Sequence, residues 1–178
     1  RLMNASVILP KRLPPALRSK VTVSEMMRSW IWNSAGSSEP AGASVARALR
    51  AEDAGLRLTL VDVVEAGARA VARSLGGTGG VAGGPGGAAV DVVRWDLSRP
   101  DALPPQVDAM VAARGAVDML VNCAGIMEVR ALATTPWAIA EAVLQIDLMS
   151  PLRLMSLLVP GMIERRHGVV VNVASMAG

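Results

Sequence analysis

The chain has 178 residues and a formal net charge of +3; it is 52% hydrophobic, 19% charged, and holds four Trp but no Phe and no Tyr. That length suits one domain, burying roughly 70% of the surface exposed when unfolded, and the apolar content favours a globular fold over disorder. Scattered arginines and scarce aromatics argue against a nucleic-acid partner, one Cys and one His cannot build the usual zinc cage, and the most apolar stretch is interrupted by Asp147 and Arg153, so no membrane span is expected.

Residues 1–29 read as a basic N-terminal extension: Arg1, Lys11, Arg12, Arg18 and Lys20 precede any acid, and Pro10, Pro14 and Pro15 oppose a continuous helical leader. The domain is expected over 30–178. "SWIWNS" reads as a first strand, followed by the turn "AGSSEPAG" (35–42) and the helix "ASVARALRAED", which Gly55 closes. "LRLTLVDV" is a second strand and "EAGARAVARSL" a second helix. The run "GGTGGVAGGPGG" is a low-complexity loop. Then come the strand "AAVDVVRWDL", the helix "PQVDAMVAARG" and the strand "VDMLVNCAG". Two helices, "TPWAIAEAVLQ" and "SPLRLMSLLVPGMIERR", lead to a last strand, "GVVVNVAS".

Strands alternating with helices of this length predict an α/β fold, a doubly wound parallel sheet with helices on both faces. Ligands of such sheets sit beyond the carboxyl ends of the strands. The residues there are Gly36, Ser37, Ser38 and Gly42, then Asp62, Asp96-Leu97, Asn122-Cys123-Ala124-Gly125 and Ser175. Glycines between strand and helix let the backbone approach a pyrophosphate, and Asp62, twenty residues past Gly42, suits a ribose diol and repels a 2′-phosphate. The plainer readings are an ordinary turn at the glycines, helix caps at Asp62 and Asp96, and a buried turn at 122–125.

Taken in order, these motifs resemble the N-terminal two-thirds of the short-chain dehydrogenase/reductase family. "AGSSEPAG" aligns with its T-G-x-x-x-G-x-G turn, Gly36 matching the first glycine and Gly42 the last. Asp62 matches the acid of NAD-preferring members and Asp96-Leu97 the adenine-contacting pair. Asn122, Ala124 and Gly125 match N-N-A-G, and "VVVNVASMAG" puts Ser175 at the catalytic serine. The resemblance implies a Rossmann-like fold, NAD rather than NADP as cofactor, and hydride transfer to or from an alcohol or carbonyl substrate. It also implies a substrate-orienting role for Ser175, a water-holding role at Asp147 where the family carries Asn, and a homodimer or homotetramer.

Some positions depart from the pattern. Pro40 replaces the middle glycine and removes an N–H donor, and Ala35 replaces the Thr. Asp147 cannot donate a hydrogen bond while ionised, and it reads equally well as a cap before Ser150-Pro151. The family's Y-x-x-x-K motif is expected about a dozen residues past Ser175, beyond Gly178, so the chain reads as an incomplete one. The alternative is a non-catalytic nucleotide-binding or degenerate member. Ser175 is not set in G-x-S-x-G, and His167, read as an exposed linker residue, begins the same strand, which opposes a hydrolase. The lone Cys123 fits a reducing compartment, hence a cytoplasmic expectation, or an organelle should 1–29 act as a leader.

Overall fold

The computed structural model describes residues 6–10, 41–77 and 90–174, with residues 6–10 and Ala41 described by their backbone. Within them five strands form one sheet: β1 (Ser6–Pro10), β2 (Leu58–Asp62), β3 (Val90–Arg94), β4 (Val117–Asn122) and β5 (Val169–Asn172), in the order β3-β2-β1-β4-β5. The helices are α1 (Ala41–Glu52), α2 (Glu65–Ser74), α3 (Leu103–Arg114), α4 (Trp137–Leu144) and α5 (Ser150–Glu164). The fold is α/β and Rossmann-like, as the sequence predicts.

Two expectations are corrected. The sheet is mixed: β2 pairs with β3 and β4 with β5 in parallel, but β1 runs antiparallel to both β2 and β4. A strand flanked on both sides can complete either kind of ladder, because its N–H and C=O groups point both ways. The central strand also comes from inside the segment read as an extension. "SVILP" carries two β-branched residues, but it is short and set among basic and proline residues, so its local pattern is weak. The expected strand at 29–34 lies outside the described residues.

Burial on both sides explains the apolar strands: every residue of β2 and of β4 is buried. Alternation divides the sheet into two faces. On one, Leu58, Leu60, Val90, Val92, Met119 and Val121 meet Val45, Ala46 and Leu49 of α1 and Ala68 and Ala72 of α2. On the other, Val61 and Leu120 meet Leu103, Val107 and Met110 of α3 and Leu154, Leu158 and Met162 of α5. The spacing of four along α5 and of three to four along α3 places those side chains on single stripes. Gly115, at φ 89°, ends α3 in a conformation that a side chain would strain, and its N–H returns to the Val111 carbonyl at 2.8 Å.

The two helices expected at 135–145 and 150–166 are one. A π-turn over Gln145–Met149 joins α4 to α5, and Pro151 is accommodated in the first turn of α5 instead of starting a separate helix. The joined helix, Trp137–Glu164, has 28 residues and is long and apolar enough, by length and composition, to cross a membrane, where the sequence reading expected no span. In the fold it lies along the sheet, with Ser150, Leu154, Leu158 and Met162 buried.

Candidate functional site

The carboxyl ends of β2, β4 and β5 bring Asp62, Asn122 and Asn172 to one edge of the sheet. Asp62 is 2% exposed. Its Oδ1 accepts the Val64 N–H at 2.7 Å, while Oδ2 is buried with no hydrogen-bond partner among the described residues. Burial pushes its carboxyl above the ordinary value, against the pull of the Val64 and Val63 backbone. The cap reading is therefore half right: Asp62 does hold the start of the α2 turn, but from a buried position.

Cys123 follows β4 and packs toward the Leu58–Leu60 face. Burial first, and the Asp62 charge second, push its thiol up to about 12, so it stays protonated and behaves as a small apolar side chain. The substitution of Cys for the family's second Asn thus puts a neutral group beside Asp62.

Asn122 belongs to the opposite face by alternation. It pairs in register with Asn172, and its Nδ2 donates to Asn172 Oδ1 at 2.8 Å, while the Val173 N–H donates to the Asn122 carbonyl at 2.8 Å. The pair ties the neighbouring ends of β4 and β5 together. Sequence reasoning passed over Asn172; the signal was a lone amide inside "VVVNV".

Asp147 lies in the π-turn, and its Oδ1 accepts the Ile126 N–H at 2.9 Å, beside Gly125. It caps the loop after β4, not the helix before Ser150, so the helix-cap reading is overturned. Partial desolvation raises its carboxyl and the Ile126 N–H opposes this. Ser150, fully buried, donates from Oγ to the Leu97 carbonyl at 2.6 Å and so fastens α5 to the loop after β3. This contact was also missed, because Ser150 reads locally as a helix start.

Asp96 is exposed, and its Oδ1 accepts both the Ser98 N–H at 3.0 Å and the Ser98 hydroxyl at 2.7 Å. The Ser98 hydroxyl, ahead of the other charges, holds its carboxyl below the ordinary value. Leu97 is buried on the α3–α5 face and Ala124 packs partly against it. Gly42 is buried in the first turn of α1. Gly36, Ser37, Ser38, Pro40 and Ser175 lie outside the described residues. His167 is half-buried in the turn before β5, not exposed.

The strand order places the crossover reversal at β1 and β4, where doubly wound sheets bind ligands. The residues there fit a dinucleotide, since the buried Asp62 Oδ2 offers an acceptor that a ribose hydroxyl satisfies. Fold and strand ends together define a dinucleotide-binding α/β protein. The short chain dehydrogenase family matches residues 35–178, and the chain belongs to that family.

The chain is similar to dehydrogenase/reductase SDR family member 7B of Rattus norvegicus, 34% identical over 87 residues, covering 49% of this chain and 27% of the relative. Among solved structures it is similar to a metagenomic short-chain oxidoreductase in complex with NADP (TM-score 0.64, 29% identity, 76% of this chain and 57% of that one). A gluconate 5-dehydrogenase from Burkholderia cenocepacia, in complex with NADP and tartrate, is similar with TM-score 0.54 and 26% identity, over 66% of this chain and 43% of that one. The chain therefore spans about a quarter of the rat relative's length and just over half of the metagenomic enzyme's.

Proposed function

We propose that this chain is the dinucleotide-binding part of an oxidoreductase that passes hydride between a nicotinamide cofactor, NAD in preference to NADP, and an alcohol or carbonyl substrate. The observation that carries the reading is the buried Asp62 carboxylate, whose Oδ2 has no hydrogen-bond partner among the described residues at the end of β2. Both ribose hydroxyls can donate to a carboxylate, whereas a 2′-phosphate cannot.

The nicotinamide ring, when bound, supplies the hydride chemistry. The protein's share is to bind and orient. Asp62 holds the adenosine ribose. The Asn122–Asn172 pair keeps the ends of β4 and β5 in register, and Asp147 fixes the loop after β4 through the Ile126 N–H. Ser175 is assigned the orientation of the substrate oxygen. The 178 residues contain no tyrosine, so the proton-transfer group of a Y-x-x-x-K motif is not among them. A second reading, nucleotide binding without catalysis, is favoured by Pro40 in place of the middle glycine and Cys123 in place of the second Asn. NAD-linked oxidation of secondary alcohols by the protein from its native source separates the two.

Fluorescence titration with NADH tests the binding. Saturable binding is expected, weakened about tenfold or more by Asp62→Ala, the loss of hydrogen bonds to a charged group. No saturable binding by the unsubstituted chain overturns the reading.

A homodimer or homotetramer is part of the same proposal. It is supported by the apolar surface left on the long helix, where Trp137 is 72% exposed and Leu144, Leu148, Leu152 and Ile163 are also exposed.

A further inference from the structure

Ser150 begins α5 and is fully buried, yet its hydroxyl is not spent on its own helix. A serine within a helix commonly returns its hydroxyl to a carbonyl of the preceding turn. Ser156 of the same helix does so, donating to the Arg153 carbonyl at 2.8 Å. Ser150 instead donates at 2.6 Å to the carbonyl of Leu97, 53 residues away in the loop that leaves β3.

That loop is pinned from several sides. Asp96 Oδ1 accepts the N–H and the hydroxyl of Ser98, the Asp96 carbonyl accepts the Arg99 N–H at 3.2 Å, and the Arg99 carbonyl accepts the Ala102 N–H at 3.0 Å. Trp95 and Leu97 are buried in one cluster with Leu154 of α5. The loop also begins beside Asp62. Arg94, the last residue of β3, is in register with Asp62, and its Nε donates to the Val63 carbonyl at 3.2 Å. Hydrogen bonds and packing therefore run from the turn after Asp62, through the end of β3 and the loop 95–99, to Ser150.

We propose that Ser150 is a positioning residue for the adenosine half of the dinucleotide. It holds the loop after β3 at the height at which that loop and Asp62 form one wall of the site. The inference rests on the dinucleotide reading above. Ser150 touches neither cofactor nor substrate and acts through the Leu97 carbonyl. Removing the hydroxyl leaves that carbonyl without its donor, and the loop relieves the cost by turning the carbonyl toward water, which moves the wall.

The test is calorimetric titration of the full chain with NADH and with AMP, which carries the adenosine half alone. Ser150→Ala is expected to weaken both ligands by the same factor, about five- to tenfold. Ser150→Thr keeps the donor and should bind both within about twofold of the unsubstituted chain. Leu158→Val loosens the buried face of the same helix without touching the loop, and it should change both affinities less than about twofold. Unfolding midpoints confirm that each variant is folded at the titration temperature. Unchanged affinities in Ser150→Ala overturn this inference and spare the dinucleotide reading. Equal losses in Leu158→Val, or no recovery in Ser150→Thr, reduce Ser150 to a packing residue and overturn it too. A loss for NADH with none for AMP overturns the assignment to the adenosine half. Binding of neither ligand by the unsubstituted chain overturns the dinucleotide reading and this inference together.

Discussion

Ile126 and Asp147 stand 21 residues apart and are joined by one hydrogen bond, the Ile126 N–H donating to Asp147 Oδ1 at 2.9 Å. The bond closes a loop between the end of β4 and the π-turn of the long helix. An acid fits at this position because the Ile126 N–H requires only an acceptor there.

Asp147→Ala should therefore loosen this loop. The side chain is exposed, so the cost is expected to be only about 1 kcal/mol in global stability. Hydrogen exchange at the Ile126 amide should rise markedly, and Asp147→Asn should preserve most of the protection. Unaltered exchange in the Ala variant would remove the clamp from the account.

Asp62 makes stability depend on pH in a definite direction. Its ordinary carboxyl value is 3.8, and burial raises it in the fold. The folded chain then binds the proton more tightly than the unfolded one, so stability falls as pH rises from 3.8 through the raised value. Below 3.8 both states are protonated and the effect vanishes. Asp62→Asn abolishes this slope and should gain on the unsubstituted chain as pH rises through that window. Urea midpoints of the two chains across a pH series measure it; a difference that stays flat or shrinks with rising pH would refute the assignment.

A second charged group is buried far from this edge. Arg114, at the end of α3, donates from Nε to Asp91 Oδ2 of β3 at 3.0 Å, and both side chains are almost wholly buried. Removing one partner strands the other charge. Arg114→Met is expected to cost about 3–5 kcal/mol, and Asp91→Leu added to it should recover most of the loss. Denaturant unfolding of the two single variants and the double gives the cycle. A double variant no better than the singles would mean that the pair does more than neutralise its own charges.

The exposed stripe on the long helix predicts self-association. Leu148 and Leu152 are 50% and 47% exposed one turn apart. Glu at both positions should shift the chain to a monomer in sedimentation experiments while leaving its helical signal unchanged. A chain that is already monomeric before substitution would contradict the assembly proposed here.

Much of this molecule is written in local pattern. The helices of 10–15 residues, the apolar strands and the acids and amides just beyond them could be read because each depends on residues close together in sequence. Asp62 and Asn122 fell where periodicity ended, and both lie at the carboxyl edge of the sheet.

What the local pattern did not contain is pairing between distant segments. Nothing in "SVILP" states that it fills the centre of the sheet, or in which direction, because a backbone ladder is indifferent to the side chains that periodicity reports. The Asp147–Ile126 clamp, the Ser150–Leu97 fastening and the Arg94–Val63 contact join residues 21, 53 and 31 positions apart. The amino-acid sequence by itself determined the family and the edge at which its strand-end acids and amides gather, since the strand-end motifs are local. Only the tertiary structure decided which charged groups share that edge, because burial and neighbouring strands, not sequence spacing, bring Arg94 beside Asp62 and cover one of the two from water.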